Sequence, residues 1–367
     1  MARRLTRAFR IASVTAAAAT LLAACEDPPK DSVQRGYRGV GMVQHYNPED
    51  VQELLAQNQV PEPESPAPDE GPLAKDLYEN VKIDALGNLR QAEFTRFMNA
   101  ITKWVSPEQG CAYCHELSKG FAYDDVYTKK VSRRMIQMTM ALNSDWGQKH
   151  TKPSGVTCYT CHRGQNVPQN QWFRKPQDKY ATRMVGSRAG QNAPSEDVAL
   201  SSLPNRVFER FLENDYNIRV AGETALPTGN YKSIKQTEGT YGLMMHISKG
   251  LGVNCTYCHN SRAWNDWDQS TPQRISAFHG IRMVRDINNN YLNPLEDVLP
   301  AKRKGPLGDA GKVNCTTCHQ GVYKPLFGAN MVQHYPTLDP KTQAAAAAME
   351  QSGDAAKNSA SNDGGMN

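Results

Sequence analysis

Cys111-Ala112-Tyr113-Cys114-His115 is the stretch on which the reading of this 367-residue chain turns, because it recurs. The pattern returns as Cys158-Tyr159-Thr160-Cys161-His162, Cys255-Thr256-Tyr257-Cys258-His259 and Cys315-Thr316-Thr317-Cys318-His319. Cys-x-x-Cys-His is the attachment signature of a c-type haem: two thiols bond covalently to the porphyrin edge, and the adjacent histidine reaches back to ligate the iron. One copy would serve equally as half a zinc site or a thioredoxin-like pair. Four copies, each with histidine directly after the second cysteine, set those readings aside. Four covalently bound haem c groups are expected, with His115, His162, His259 and His319 as iron ligands. A chain carrying four redox centres is mainly α-helical with extensive irregular loops, and porphyrin forms much of its core. A mean hydropathy of −0.64 agrees with that economy of apolar side chains.

Eight of the nine cysteines belong to the signatures, so no even set is left for a disulfide framework. The ninth is Cys25. Arg3, Arg4, Arg7 and Arg10 precede a short apolar stretch from Ile11 to Leu22, and Leu22-Ala23-Ala24 puts small residues directly before the cysteine. This reads as an export signal over residues 1–24, too short for a comfortable membrane span. It resembles a bacterial lipoprotein signal, with Cys25 as the lipidated N-terminus; an ordinary signal cut near Ala24 is the alternative. Export agrees with haem attachment, which takes place outside the bacterial cytoplasm. The formal charge of +5 shrinks once the segment before Cys25 is removed, since 42 basic residues less four Arg leave 38 against 37 acidic ones. Two propionates per haem then make the holoprotein acidic, so a nucleic-acid role has no electrostatic support. An acidic face instead favours encounter with a basic soluble partner.

Along the chain, residues 25–72 read as an extended N-terminal segment with a Pro/Glu spacer at Val60–Pro68, and residues 339–367 as a disordered tail rich in Ala, Ser, Asn and Gly. Between them lie a first haem-pair half over 73–168, a connecting segment over 169–235 and a second half over 236–338. The halves read as a duplication of one unit, a helix, a turn and a signature. Arg134-Met135-Ile136-Gln137-Met138 before the second signature aligns without a gap on His279-Gly280-Ile281-Arg282-Met283 before the fourth. Phe94, Met98, Ile101 and Val105 recur at helical spacing until Ser106-Pro107, and Met244, Ile247 and Leu251 until Gly252. Within the connecting segment, Ile218-Arg219-Val220 and Pro227-Thr228-Gly229 are expected to form a short hairpin. A second repeat, Met42-Val43-Gln44-His45-Tyr46 and Met331-Val332-Gln333-His334-Tyr335, points to a matched docking of the two termini.

Function turns on the sixth iron position, because an open face permits small-molecule chemistry whereas Met or His restricts a haem to electron transfer. Met98 precedes Cys111 by 13 residues and Met244 precedes Cys255 by 11, each on an apolar helical stripe. Both positions suit ligation as well as core packing. For the second haem Met135, Met138 and Met140 all compete. If Met138 ligates it, Met283 should serve the fourth; if Met135 does, Gly280 leaves the fourth without a ligand from its own helix. The residues alone leave both open.

Longer runs carry a resemblance. Asn99-Ala100-Ile101-Thr102-Lys103-Trp104-Val105-Ser106-Pro107-Glu108-Gln109-Gly110, Gly155-Val156-Thr157 with Arg163-Gly164, Ser270-Thr271-Pro272-Gln273-Arg274, Gly280-Ile281-Arg282-Met283-Val284-Arg285-Asp286 and Lys324-Pro325-Leu326-Phe327-Gly328-Ala329 are similar to the tetrahaem cytochrome subunit of purple-bacterial photosynthetic reaction centres. That resemblance implies Met98, Met135 and Met244 as the sixth ligands of the first three haems and His150 as that of the fourth. It places Arg274 near a propionate of the third haem, as a residue that tunes potential. His246, two residues past Met244, should point away from the same haem as a surface or supporting residue. It implies an electron carrier, not an enzyme, lipid-anchored on the periplasmic face of the photosynthetic membrane and seated on the reaction-centre subunits that hold the bacteriochlorophyll pair. A small soluble c-type cytochrome or a high-potential iron–sulfur protein would donate, and the third haem would lie nearest the pair, with the fourth, second and first farther out. A multihaem reductase with one open haem face, and a lipoprotein conduit unconnected with light, are the competing classes.

Overall fold

The computed structural model describes residues 30–37, 39, 41–176, 194–204, 206–220 and 233–341. The expected signal segment, Cys25, Pro227–Gly229 and the tail beyond 341 lie outside the described residues. A two-stranded antiparallel hairpin, β1 (Asp31–Gln34) and β2 (Val43–Tyr46), pairs Asp31 with Tyr46 and Gln34 with Val43. The helices that matter are α1 (Pro48–Gln57), α2 (Gln91–Val105), α3 (Tyr127–Ser144), α4 (Cys158–His162), α5 (Ile234–Leu251), α6 (Pro272–Asp286) and α7 (Cys315–His319). Long stretches between them have no regular structure, as expected of a mainly helical chain rich in loops.

Local chemistry sets the helix ends. Asn47 accepts from the Glu49 N–H at 3.1 Å with Pro48 as first helical residue, and Pro272 opens α6 in the same way. Ser233 caps α5, which stops at Gly252 with φ +62°, a backbone state glycine adopts without a Cβ penalty. α2 ends at Val105, before Ser106-Pro107. The second and fourth signatures are themselves short helices closed by reciprocal caps, Thr157 with Thr160 and Asn314 with Thr317. Each terminates in a left-handed non-glycine residue directly after the histidine, Arg163 (φ 50°) and Gln320 (φ 49°). The first and third signatures are single 3-10 turns following α2 and α5.

Two apolar clusters hold these elements. In one, Leu243 and Ile247 of α5 and Ile281 and Val284 of α6 pack with Val198, Val207, Phe208, Phe211 and Leu212. Val198, Val207, Phe208, Phe211 and Leu212 of the connecting segment are therefore core residues, and Ile218–Val220 lack regular structure. In the other, Phe97, Ala100 and Trp104 of α2 pack with Leu326, Met331, Tyr335 and Leu338 from the C-terminal end. Tyr335 is 2 % exposed; its ring meets Trp104 edge-on at 4.7 Å, and Arg96 lies over it at 4.4 Å.

The two Met-Val-Gln-His-Tyr segments dock on opposite halves. Met42 donates its N–H to Thr256 Oγ1 at 2.6 Å and Tyr46 donates to the Gly252 carbonyl at 3.0 Å, so the N-terminal copy sits on the third signature. Thr157 Oγ1 lies 3.7 Å from Met331 Sδ and Arg96 donates to the His334 carbonyl at 2.7 Å, so the C-terminal copy closes the first half. One sequence forms a strand in the first place and a 3-10 turn in the second, because its partners differ. From the hairpin the chain continues as a strap. Leu54 reaches Gly321 beside the fourth signature; Gln59 and Gln57 accept from Tyr159 (2.9 Å) and Arg163 (3.3 Å) at the second. Glu64 then pairs with Lys103, while the Ser65 carbonyl accepts from Arg96 at 3.0 Å, both on α2. The Pro/Glu stretch docks on α2 there.

Candidate haem sites

Backbone contacts set the order of the signatures. α2, which leads into the first signature, packs on the second, where Gly164 N–H donates to the Trp104 carbonyl at 2.9 Å. The second and fourth signature helices pack on each other, with Cys161 beside Cys318. α5, which leads into the third, lies on the fourth: Gly321 N–H donates to the Gly250 carbonyl at 2.8 Å. The spatial order is first, second, fourth, third, the order in which the strap is read backwards.

The signature histidines share one arrangement with one exception. Nδ1 of His162, His259 and His319 donates to the carbonyls of Gln165 (2.8 Å), Trp264 (3.0 Å) and Val322 (3.0 Å). A carbonyl only accepts, so Nδ1 carries the proton and Nε2 keeps its lone pair for a metal. Nδ1 of His115 is buried without a completed hydrogen bond; the Phe121 carbonyl lies nearby and its ring stands edge-on at 5.0 Å. Burial lowers the basicity of all four histidines and pushes His319 down to about 4, keeping them in the neutral form a metal ligand requires. Burial likewise pushes Cys158 and Cys315 up to about 12 and Cys258 to about 11.

Two apolar cavities open beside the signatures. One is lined by Met135, Cys158 and His162, with Ile101, Tyr113 and Arg303. Met135 and Met138 both pack against the second-half cluster, but of the two only Met135 also lines the cavity that holds His162. The other, about 330 Å³, is lined by His150, Gly280, Met283, Cys315, Cys318 and His319. The His150 and His319 ring centres stand 6.1 Å apart there. Metal–imidazole bonds of about 2 Å, as at zinc, plus about 1.1 Å from nitrogen to ring centre put two trans imidazoles about 6 Å apart. The observed spacing is of the size that a metal ion held between the two rings would require. His150 sits on a π-helical turn over Gly147–Thr151 that packs against α6, and its Nδ1 donates to the Ser276 carbonyl at 2.9 Å. Met98 and Met244 are partly buried on α2 and α5, each packed against the apolar cluster of its half.

Arg274 stacks over Trp267 at 4.0 Å and donates to the Asp266 carbonyl (2.6 Å) and Ser270 Oγ (2.7 Å), beside the third signature. Its charge, after burial, helps to lower the basicity of His259. His246 is not a surface residue. It is 4 % exposed, edge-on to Phe208 at 4.5 Å, and burial holds it near 4. Leu243, His246, Ile247 and Gly250 are buried at helical spacing, a pattern present in the sequence that a reading centred on Met244 passed over. Arg303 was also missed: it lines the cavity beside His162 and, after burial, lowers that histidine's basicity. Nothing local in the sequence connects the two.

Attachment signatures on a mostly helical scaffold, with neutral imidazoles facing apolar cavities, define a c-type cytochrome. The family model described as photosynthetic reaction centre cytochrome C subunit matches residues 26–339, and the chain belongs to that family. It is 52 % identical over 344 residues to the photosynthetic reaction center cytochrome c subunit of Rubrivivax gelatinosus, covering 93 % of this chain and 92 % of that one. The subunit of Thermochromatium tepidum is 50 % identical over 326 residues (89 % and 79 %), and that of Roseobacter denitrificans 41 % over 329 (84 % and 85 %). Membership makes the protein an electron carrier with covalently bound haem c, associated with the reaction centre of a photosynthetic membrane. Among the described residues no helix is long and apolar enough to cross a membrane.

Proposed function

We propose that this subunit passes electrons from a small soluble donor, a c-type cytochrome or a high-potential iron–sulfur protein, through four haems to the photo-oxidised bacteriochlorophyll pair. The contact order of the signatures carries the reading, because it lays four sites along one path with the first and third at its ends. Haem bound at each site supplies a one-electron iron couple. The chain's residues supply ligands, burial and charge: Met98 with His115, Met135 with His162, Met244 with His259, and His150 with His319. Arg274 and its carbonyl partners adjust the third site. The two halves, 73–168 and 236–338, are repeats of one helix–turn–signature unit.

Orientation follows from the hairpin. Cys25 precedes Asp31 by six residues, a span of at most about 20 Å, and the hairpin docks on the third signature. A lipid on Cys25 therefore brings the third site to the periplasmic face of the membrane, next to the subunits that hold the pair, and leaves the first for the donor. Flash excitation of membranes tests this. Haem bleaching should accompany re-reduction of the oxidised pair, and re-reduction without bleaching would sink the reading. Carbon monoxide added to the reduced protein should bind no haem, since every sixth position is filled.

A further inference from the structure

We infer that Gly280 is a positioning residue: its missing side chain lets His150 of the first half reach the fourth signature, and so decides that this site takes histidine and not methionine. The inference rests on the proposed His150–His319 ligand pair. Gly280 is buried near the middle of α6, where glycine is a poorer helix former than alanine. Helix formation alone therefore gives no reason for it. A methyl group there would stand 2.7 Å from His150 Cε1, 3.1 Å from Nδ1 and 3.3 Å from Nε2. The neighbour is a planar ring, not the loose end of a flexible chain.

That ring is held against retreat. Its Nδ1 donates to the carbonyl of Ser276, one turn earlier on the same helix face, so the notch and the anchor form one cradle. The turn that carries it is tied at its start, where Trp146 Nε1 donates to Asp286 Oδ2 at 2.9 Å at the far end of α6. A Cβ at 280 thus cannot be met by a small tilt. The imidazole must leave the Ser276 carbonyl and, with it, its place opposite His319. The aligned position in the first half is Met135, which lines the cavity of its own signature. Equivalent helix positions hence give opposite results: a side chain at 135 supplies the ligand locally, and its absence at 280 admits one from the other half.

Three variants of the full haem-loaded protein test this, read by carbon monoxide binding to the reduced form, by the low-temperature magnetic resonance of each haem and by redox titration. His150→Ala should open one haem, which then binds one equivalent of carbon monoxide. Gly280→Ala should open the same haem while the other three keep their spectra. Gly280→Met combined with His150→Ala should close it again, with a methionine–iron charge-transfer band and a potential above that of the wild-type site. If His150→Ala alters no haem, the ligand assignment itself falls, and this inference with it. If His150→Ala opens the site and Gly280→Ala does not, the assignment stands and the positioning role of Gly280 is overturned. Should Gly280→Ala fail to accumulate, Gly280→Ala with His150→Ala decides, because removing the ring removes the clash. The double variant should be at least as heat-stable as His150→Ala alone, and an equal loss with or without the ring would mean that the glycine serves another contact.

Discussion

At the fourth signature both candidate axial histidines are pinned, His150 by Ser276 and His319 by Val322, and the cavity walls come from both halves. At the first, Cys111 is exposed and Nδ1 of His115 makes no completed hydrogen bond. The helix that leads into it, α2, is held from behind by Tyr335 and the strap. The two pentapeptides are chemically equivalent as attachment sites. The difference shows that the signature fixes covalent attachment, whereas ligand rigidity is set by distant segments. The fourth site draws its stiffness from the joint between halves, and the first from the chain ends.

That contrast can be broken at the first site. Tyr335→Ala removes a ring packed on Trp104 and beneath Arg96, and should cost about 3–5 kcal/mol. In denaturant, the first haem should lose the methionine proposed for it before the other three lose their distal ligands. A loss below about 1 kcal/mol would mean that α2 is held by something else. A smaller effect is expected at Asp124, in the loop after the first signature. Partial burial pushes its carboxyl up, but hydrogen bonds from Lys82 and Arg133 outweigh that and hold it well below the usual carboxylate range. A depressed acid contributes stability above its unfolded pKa of about 3.9 and loses it as pH falls toward the folded value. Asp124→Asn should therefore cost about 1–2 kcal/mol near pH 7, after solvent screening. Its gap to the wild type should close as the pH drops below 4; a gap that is constant with pH would show that the ion pairs contribute nothing. At the fourth site, Trp146→Phe deletes one hydrogen bond to Asp286 and should cost about 1 kcal/mol. Its spectral effect should fall on the fourth haem alone, and a change at the first instead would overturn the division drawn above.

Much of this was legible in sequence. The signatures, the stripe ending at Ser106-Pro107 and the stop at Gly252 each depend on residues a few positions apart, and local chemistry decides them. The competition between Met135 and Met138 was not decidable by spacing, since both lie on α3 and only the packing of that helix shows which one faces His162. The core role of Phe208, Phe211 and Leu212 was hidden for a similar reason, because their partners on α5 and α6 lie tens of residues away. The paired Met-Val-Gln-His-Tyr segments look identical as sequence, and only Thr256 beneath one and Thr157 beneath the other make them different structures.

The strap bears on how the molecule is made. Residues 37–65 are synthesised before any signature, yet Met42 bonds to a threonine 214 positions later and Tyr46 to a glycine 206 positions later. Contacts that distant close slowly, since a long loop must be ordered before it is rewarded. The strap also lies across residues of the third and second signatures and beside the fourth, which an attachment machinery has to reach. A segment made before its partners is thus ordered only after them, and its docking reports that the distant regions it ties have come together.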